Sequence, residues 1–383
     1  MSHGLLSRFT VRRIYGCDYM DVFDEAVSPF ARQFPLGSLR PETIPWILVE
    51  FRDYARGHIE FLRRTYPQLP RIHFGFTDLG TINAGAFRHK GDYIIFVNTG
   101  TIAMLSLFFT RVLADRRLFR DIGNPEKETD DLPRFNALLP DAEMLLGQFR
   151  NLVVPRDQQR IDYSHGLLHR AFRFLFSHEL THILSGHVDY LLSLGVSALV
   201  ELTAAEMPIE KLDRQAMEMD ADNGGAEEGM HTLMAKIAPK PEVDPEVSNQ
   251  QYFNPKQGLF AWLFAVDSLF RFFGDERFTL PQLRTYYYPP PRMRQILIAS
   301  TAARFIETKT KRPDLGALCR RSSPLALAAV EEAFTTVSRT PRSVAGLEAA
   351  ALSIPEHMSL VARHWRESMR PRLAPFAYVN LVE

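Results

Sequence analysis

Cysteine is scarce in this chain of 383 residues. Cys17 and Cys319 lie far apart and outside any metal-like spacing, which excludes a disulfide framework and a thiolate zinc site and suits a reducing compartment. Net charge is absent too, with 45 Lys+Arg against 45 Asp+Glu, so no whole-chain field draws nucleic acid or an anionic membrane. The nearest basic cluster, Arg116, Arg117 and Arg120, reads as a solvated face. Long apolar runs are missing as well. "TIAMLSLFFTRVLA" is too short to span a bilayer, and "GLFAWLFAVDSLFRFFG" is interrupted by Asp267, so both read as core helices. "MSHGLLSRFTVRRIYG" lacks the apolar stretch of a signal peptide. With no repeat or low-complexity tract either, the expectation is a cytoplasmic globular protein with no membrane span and no nucleic-acid partner.

What is present is ample core material, 46% of the chain being hydrophobic. "PETIPWILVEFRDYARGHIEFLRRTY" carries apolar residues at helical spacing and predicts a long amphipathic helix. The period then changes. "PRIHFGFTD" and "DYIIFVNTG" read as strands, with "INAGAF" between them as an edge strand, and "GTIAMLSLFFTRVLA" resumes helix. "DIGNPEKETDDLP" reads as a mobile surface loop or insertion. A helix follows from about Ser164 to Ser185, with Leu168, Ala171, Phe172, Leu175, Phe176, Leu180 and Ile183 as its apolar surface and Gly186 as its stop. Further helices are expected around Met207 to Met230 and Leu259 to Phe273, separated by the polar linker "APKPEVDPEVSNQQ". The remainder reads as helical, broken by turns such as "YYYPPPR".

The stretch "HELTHILSGH" carries the chemistry. Residues four apart on a helix are rotated by only about 40° and rise about 6 Å, so His178 and His182 can aim both imidazoles at one ion. Glu179 beside them is the candidate general base of a metal-activated water. A third ligand must come from another element, and "RQAMEMDADNGGA" offers Glu218 and Asp222, again four apart. Glu218 is the candidate ligand and Asp222 the candidate partner of a ligand histidine. A solvated acidic face, with Asp220, Glu227 and Glu228 nearby, is the plainer reading of the same stretch. His187 follows the expected helix stop and is read as a capping or surface residue.

Four blocks in order resemble one family. "PRIHFGFTDLGTINAGAF" with "GDYIIFVNTGTI" is similar to the small sheet of the zinc metallopeptidases that include the HtpX heat-shock protease and the CAAX prenyl proteases, among the gluzincins. "HELTHILSGH" resembles their zinc helix, "EMDADNGGA" their E-x-x-A-D helix, and "YPPPRMR" their later H-P-P-x-x-x-R, with Arg294 matching the arginine. The resemblance spans roughly Pro70 to Arg294. It implies His178, His182 and Glu218 as zinc ligands, Glu179 as base and Asp222 behind a ligand. Tyr288 stands where the family has histidine, and the family's membrane helices are missing.

Together these readings predict an α+β fold, mostly helical, with a small β-sheet packed on the H-E-x-x-H helix and extra helical segments. The expected division is an N-terminal helical region over 1–69, a zinc metallopeptidase domain over 70–300 with an insertion at about 115–163, and a C-terminal helical region over 301–383. The expected activity is zinc-dependent hydrolysis of peptide bonds in a protein or peptide substrate. The alternatives are a non-catalytic interaction protein with a structural zinc and a metal-dependent hydrolase of non-peptide amides. Tyr286, Tyr287, Tyr288 and His231 are candidate oxyanion donors. Asn83, Ala84, Gly85 and Ala86 are expected to bind substrate as an added strand, with Gly85 and Ala86 forming a bulge.

Overall fold

Period and turn chemistry place the first elements of the fold. A computed structural model describes residues 19–36, 47–135, 153–196, 198–200, 209–237, 254–274, 280–339 and 345–381. Helices α1 (Tyr19–Val27) and α2 (Ile47–Thr65) precede strands β1 (Ile72–Thr77), β2 (Ala84–His89) and β3 (Asp92–Asn98). Lys90 and Gly91 both take positive φ, 49° and 92°, which is what a two-residue hairpin turn between β2 and β3 requires. β1 pairs with β3 in parallel, and β2 pairs with β3 antiparallel.

The sheet order is β1-β3-β2-β4, where β4 is Ala198–Val200. This corrects the expected edge strand: Gly85, Ala86 and Phe87 face Val200, Leu199 and Ala198. The β2–β3 register runs unbroken from Ala84–Val97 to His89–Asp92, so Gly85 and Ala86 make no bulge.

Helix α3 (Thr99–Ala114) leads to a short 3-10 turn at Pro125–Lys127. The acidic stretch around it, read as a free loop, is tied down on both sides. Glu128 is buried and accepts the amides of Arg156 and Asp157. Buried Arg160 donates to the carbonyls of Leu113, Asp115, Leu118, Phe119 and Ile122. The core of the expected insertion, 136–152, lies outside the described residues.

Helix α4 (Gln158–Leu184) starts earlier than its apolar period suggests, because Asp157 caps it through the amides of Gln159 and Arg160. All seven of its expected apolar residues are buried. Phe172 stacks on Phe51 of α2 at 4.1 Å between ring centroids, and Phe74 of β1 meets both Phe172 and Phe176 edge-on. The sheet and α2 therefore share one aromatic core with α4.

After Gly186 come α5 (His187–Ser193) and α6 (Lys211–Ile237), the latter packed along α4. Helices α7 (Pro255–Phe273), α8 (Leu280–Leu283), α9 (Pro291–Thr308) and α10 (Pro313–Ser338) follow. The linker before α7 lies mostly outside the described residues, 238–253 being among those not described. Helix α11 (Ala345–His364), a π-helical turn (Trp365–Met369) and α12 (Arg370–Leu373) complete the helices of the described residues, and α11 and the π turn return to pack on α6. The architecture is α+β and mostly helical, and no described helix is long and apolar enough to cross a membrane.

Candidate metal centre

Helices α4 and α6 run antiparallel and very close. A Cβ on Gly224 would lie 2.1 Å from Thr181 Oγ1, and one on Gly225 2.9 Å from the Phe174 ring. Only glycine permits that approach. The close spacing brings together residues forty apart in sequence: His178 and His182 from α4, Glu218 from α6. Their donor atoms all lie within 4.8 Å of one another, and among the described residues this is the group that can hold a metal ion.

The spacing is quantitative. His178 Nε2 and His182 Nε2 are 3.2 Å apart, and Glu218 oxygens lie 3.5 Å from the first and 3.6 Å from the second. Tetrahedral zinc with donors at about 2.0–2.1 Å would separate them by about 3.3 Å. Both Glu218 oxygens are buried and ion-paired, Oε1 with Arg214 at 2.7 Å and Oε2 with Arg294 at 3.3 Å, but neither makes a well-formed hydrogen bond, which leaves lone pairs for a metal. Two imidazoles and one carboxylate at this spacing form a donor set that could hold a metal ion such as zinc.

The surroundings orient these donors. His178 Nδ1 is 3.1 Å from Asp222 Oδ1, and Asp222 is held by Arg294 through two bonds of 2.8 Å. Burial alone would lower the His178 pKa, but the Asp222 contact and charge, with Glu218, outweigh it and bring it to about 9. Burial would raise Asp222, yet Arg294 and His178 hold it below the ordinary carboxylate range. His182 is driven well below the ordinary histidine value by burial and by the cationic neighbours around it, so it stays neutral. A neutral imidazole offers the lone pair that a metal needs.

His187 is not a surface cap. It is fully buried, with Nδ1 at 2.9 Å from His182 Nδ1 and Nε2 at 3.4 Å from Asp220 Oδ2. The expectation failed because Gly186, at φ 77°, does end α4 but turns the chain straight into α5 over the end of α4. A Cβ there would strike the Phe376 backbone at 2.6 Å, so the turn is reserved for glycine. If His182 presents Nε2 to a metal, its Nδ1–H donates to His187 Nδ1, which leaves the His187 Nε2–H for Asp220. Each ligand histidine then has a carboxylate behind it, one direct and one relayed.

Arg214 carried no signal in sequence. It lies one helical turn before Glu218, with NH2 at 2.7 Å from Oε1, and it donates to the Tyr288 hydroxyl at 2.9 Å while its guanidinium covers that ring. A carboxylate has lone pairs enough for both Arg214 and a metal. Tyr288 therefore reaches the edge of the cluster, where the resemblance expects a histidine. Tyr286 accepts at its backbone carbonyl from Gln215, Tyr287 covers Lys211, and His231 is exposed, so none of these three shares the Arg214 contact.

Glu179 is buried beside His178. The expected substrate strand is placed differently. Asn83 braces its own strand by accepting the Ala84 amide, Ala84 and Ala86 are fully buried, and β4 lies along Gly85 and Ala86. No protein-family model, curated protein or solved structure matches the chain.

Proposed function

We propose that the protein is a zinc-dependent peptidase whose metal is held by His178, His182 and Glu218. The observation that carries the reading is the donor spacing, 3.2 to 3.6 Å across two helices, which matches a tetrahedral ion. Zinc, when bound, supplies Lewis acidity for polarising a carbonyl and activating water. The chain's own residues do the rest. Glu179 accepts the proton of the attacking water on its carboxylate and delivers it to the leaving nitrogen. Asp222 and the His187–Asp220 pair fix the imidazole tautomers. Tyr288, steadied by Arg214, is the side chain best placed to donate to a developing oxyanion.

His178, Glu179, His182 and Glu218 are all at most 3% exposed, so a protein substrate reaches them only after neighbouring elements move aside. The same burial favours a second reading, a structural zinc in an interaction protein. Glu179→Gln separates the two. It should retain zinc by elemental analysis and keep its fold, yet lose hydrolysis of a denatured protein substrate. Loss of zinc would remove Glu179 from the role of base, and an inactive wild-type protein with stoichiometric zinc would favour the structural reading.

A further inference from the structure

A cleft of about 180 Å³ lies between α2, α4, α6 and α7. It is not an extension of the metal centre. His169 on its wall is nine residues before His178, two and a half turns along α4, which puts it on the opposite face and about 13 Å away along the axis. The walls divide by chemistry. Tyr54, Trp262 and Leu233 supply apolar surface, while Arg170, Arg173 and Lys236 bring three positive charges against one lining carboxylate, Glu228. Glu50 reaches His169 from the rim at 3.4 Å, and Thr232 donates to Glu228 at 3.2 Å.

Arg173 is the most telling of these residues. Its guanidinium carbon lies over the Tyr54 ring, 4.5 Å from the centroid, and its buried Nε–H has no acceptor. A buried donor without a partner is unfavourable, so an acceptor brought by a ligand would be favoured there. The excess of fixed positive charge is felt by His169, whose pKa is pushed down to about 4, first by burial and then by Arg173, His165, Lys236 and Arg170. Gly229 keeps the cleft's back wall thin: a Cβ there would meet the Trp262 indole nitrogen at 2.4 Å.

We propose that this cleft binds a small organic oxyanion, a carboxylate or phosphate monoester on an aromatic or aliphatic body. The charged head sits against Arg173 and Lys236, and the body lies between Tyr54, Leu233 and Trp262. An arginine stacked on an aromatic ring is preorganised for a planar or tetrahedral oxyanion, because its fork is held before the ligand arrives. The inference is independent of the metal reading, since none of His178, His182 and Glu218 lines the cleft.

Calorimetric titration of the full chain at physiological salt tests it, in zinc-loaded and chelator-treated protein alike. Phenyl phosphate and benzoate are the probes, with benzyl alcohol as neutral control and inorganic phosphate as bodiless control. Saturable one-to-one binding of a probe, weakened at least tenfold in both Arg173→Gln and Lys236→Gln, is the expected result. Circular dichroism of both variants checks that they fold. Absence of saturable binding, equal affinity in the variants, or equal affinity for benzyl alcohol would overturn the proposal. Inorganic phosphate binding as tightly as phenyl phosphate would overturn the role given to the apolar wall.

Discussion

His187 and Asp267 show how much a single buried side chain decides in this protein. His187 supplies no donor to the candidate metal cluster but contacts His182 at Nδ1, so in the proposed zinc site it would fix the tautomer of that ligand. His187→Ala should therefore lower zinc affinity by about 10- to 100-fold while the saturated protein still holds one ion. Competition with a chromogenic chelator reads the affinity, and an unchanged constant would reduce His187 to packing. Asp267 interrupts the apolar run of α7, is 2% exposed, and leaves Oδ2 without a partner. Burial raises its pKa well above 3.8, with Arg292 offsetting only part of the effect. The folded protein then keeps a proton that the unfolded chain releases above about pH 4, so this residue makes stability fall as pH rises from there. Asp267→Asn should remove that slope and melt higher than the wild type at neutral pH but not at pH 4. Parallel melting curves across that range would contradict the assignment.

Helices α4 and α6 meet through glycine, which yields opposite outcomes for one substitution. Gly224→Ala drives a methyl into Thr181 and should cost about 1–3 kcal/mol, with weaker zinc binding as the donors separate. Gly57→Ala in α2 meets nothing within 4 Å and should stabilise by about 0.4–1 kcal/mol. Urea denaturation compares the two, and equal signs would mean that the helix contact is softer than its distances imply. Composition and period made most elements legible: β1 and β3 follow from their aromatic and β-branched residues and α4 from its 3.6-residue stripe, while α3 and α7 follow from long apolar runs. The H-E-x-x-H spacing and the i, i+4 pair of α6 pointed to the same side chains the fold brings together. What stayed hidden depends on distant partners. The three residues of β4 are too few to show alternation, and Arg214 gains its meaning from Tyr288, 74 residues on. Glu128 and Arg160 turn an apparently free loop into an anchored one by side-chain bonds to backbone, which no residue pattern announces.

Across the molecule, the last helices come back to the candidate metal centre. Trp365 packs edge-on against His187 at 6.2 Å, His364 and Arg372 pair with Asp213, and the Tyr378 amide donates to Leu184 at the end of α4. The Tyr378 hydroxyl meets Tyr93, which together with Arg88 holds Asp189. Because the donors come from two helices locked into this whole, metal removal should be felt globally. Chelation should lower the melting temperature of the wild type and leave Glu218→Ala unchanged. Equal shifts in both would place the metal elsewhere. The π turn at Trp365–Met369 sets the phase of that return. Val361, Trp365, Met369 and Leu373 are buried at every fourth position, a repeat that would drift by about 40° per step on an α-helix. The wider turn winds more slowly and takes up that drift. Loss of one residue there would rotate everything beyond it by about 100° and carry Tyr378 away from Leu184. The count of residues in this turn, more than their identity, is thus what the fold cannot give up.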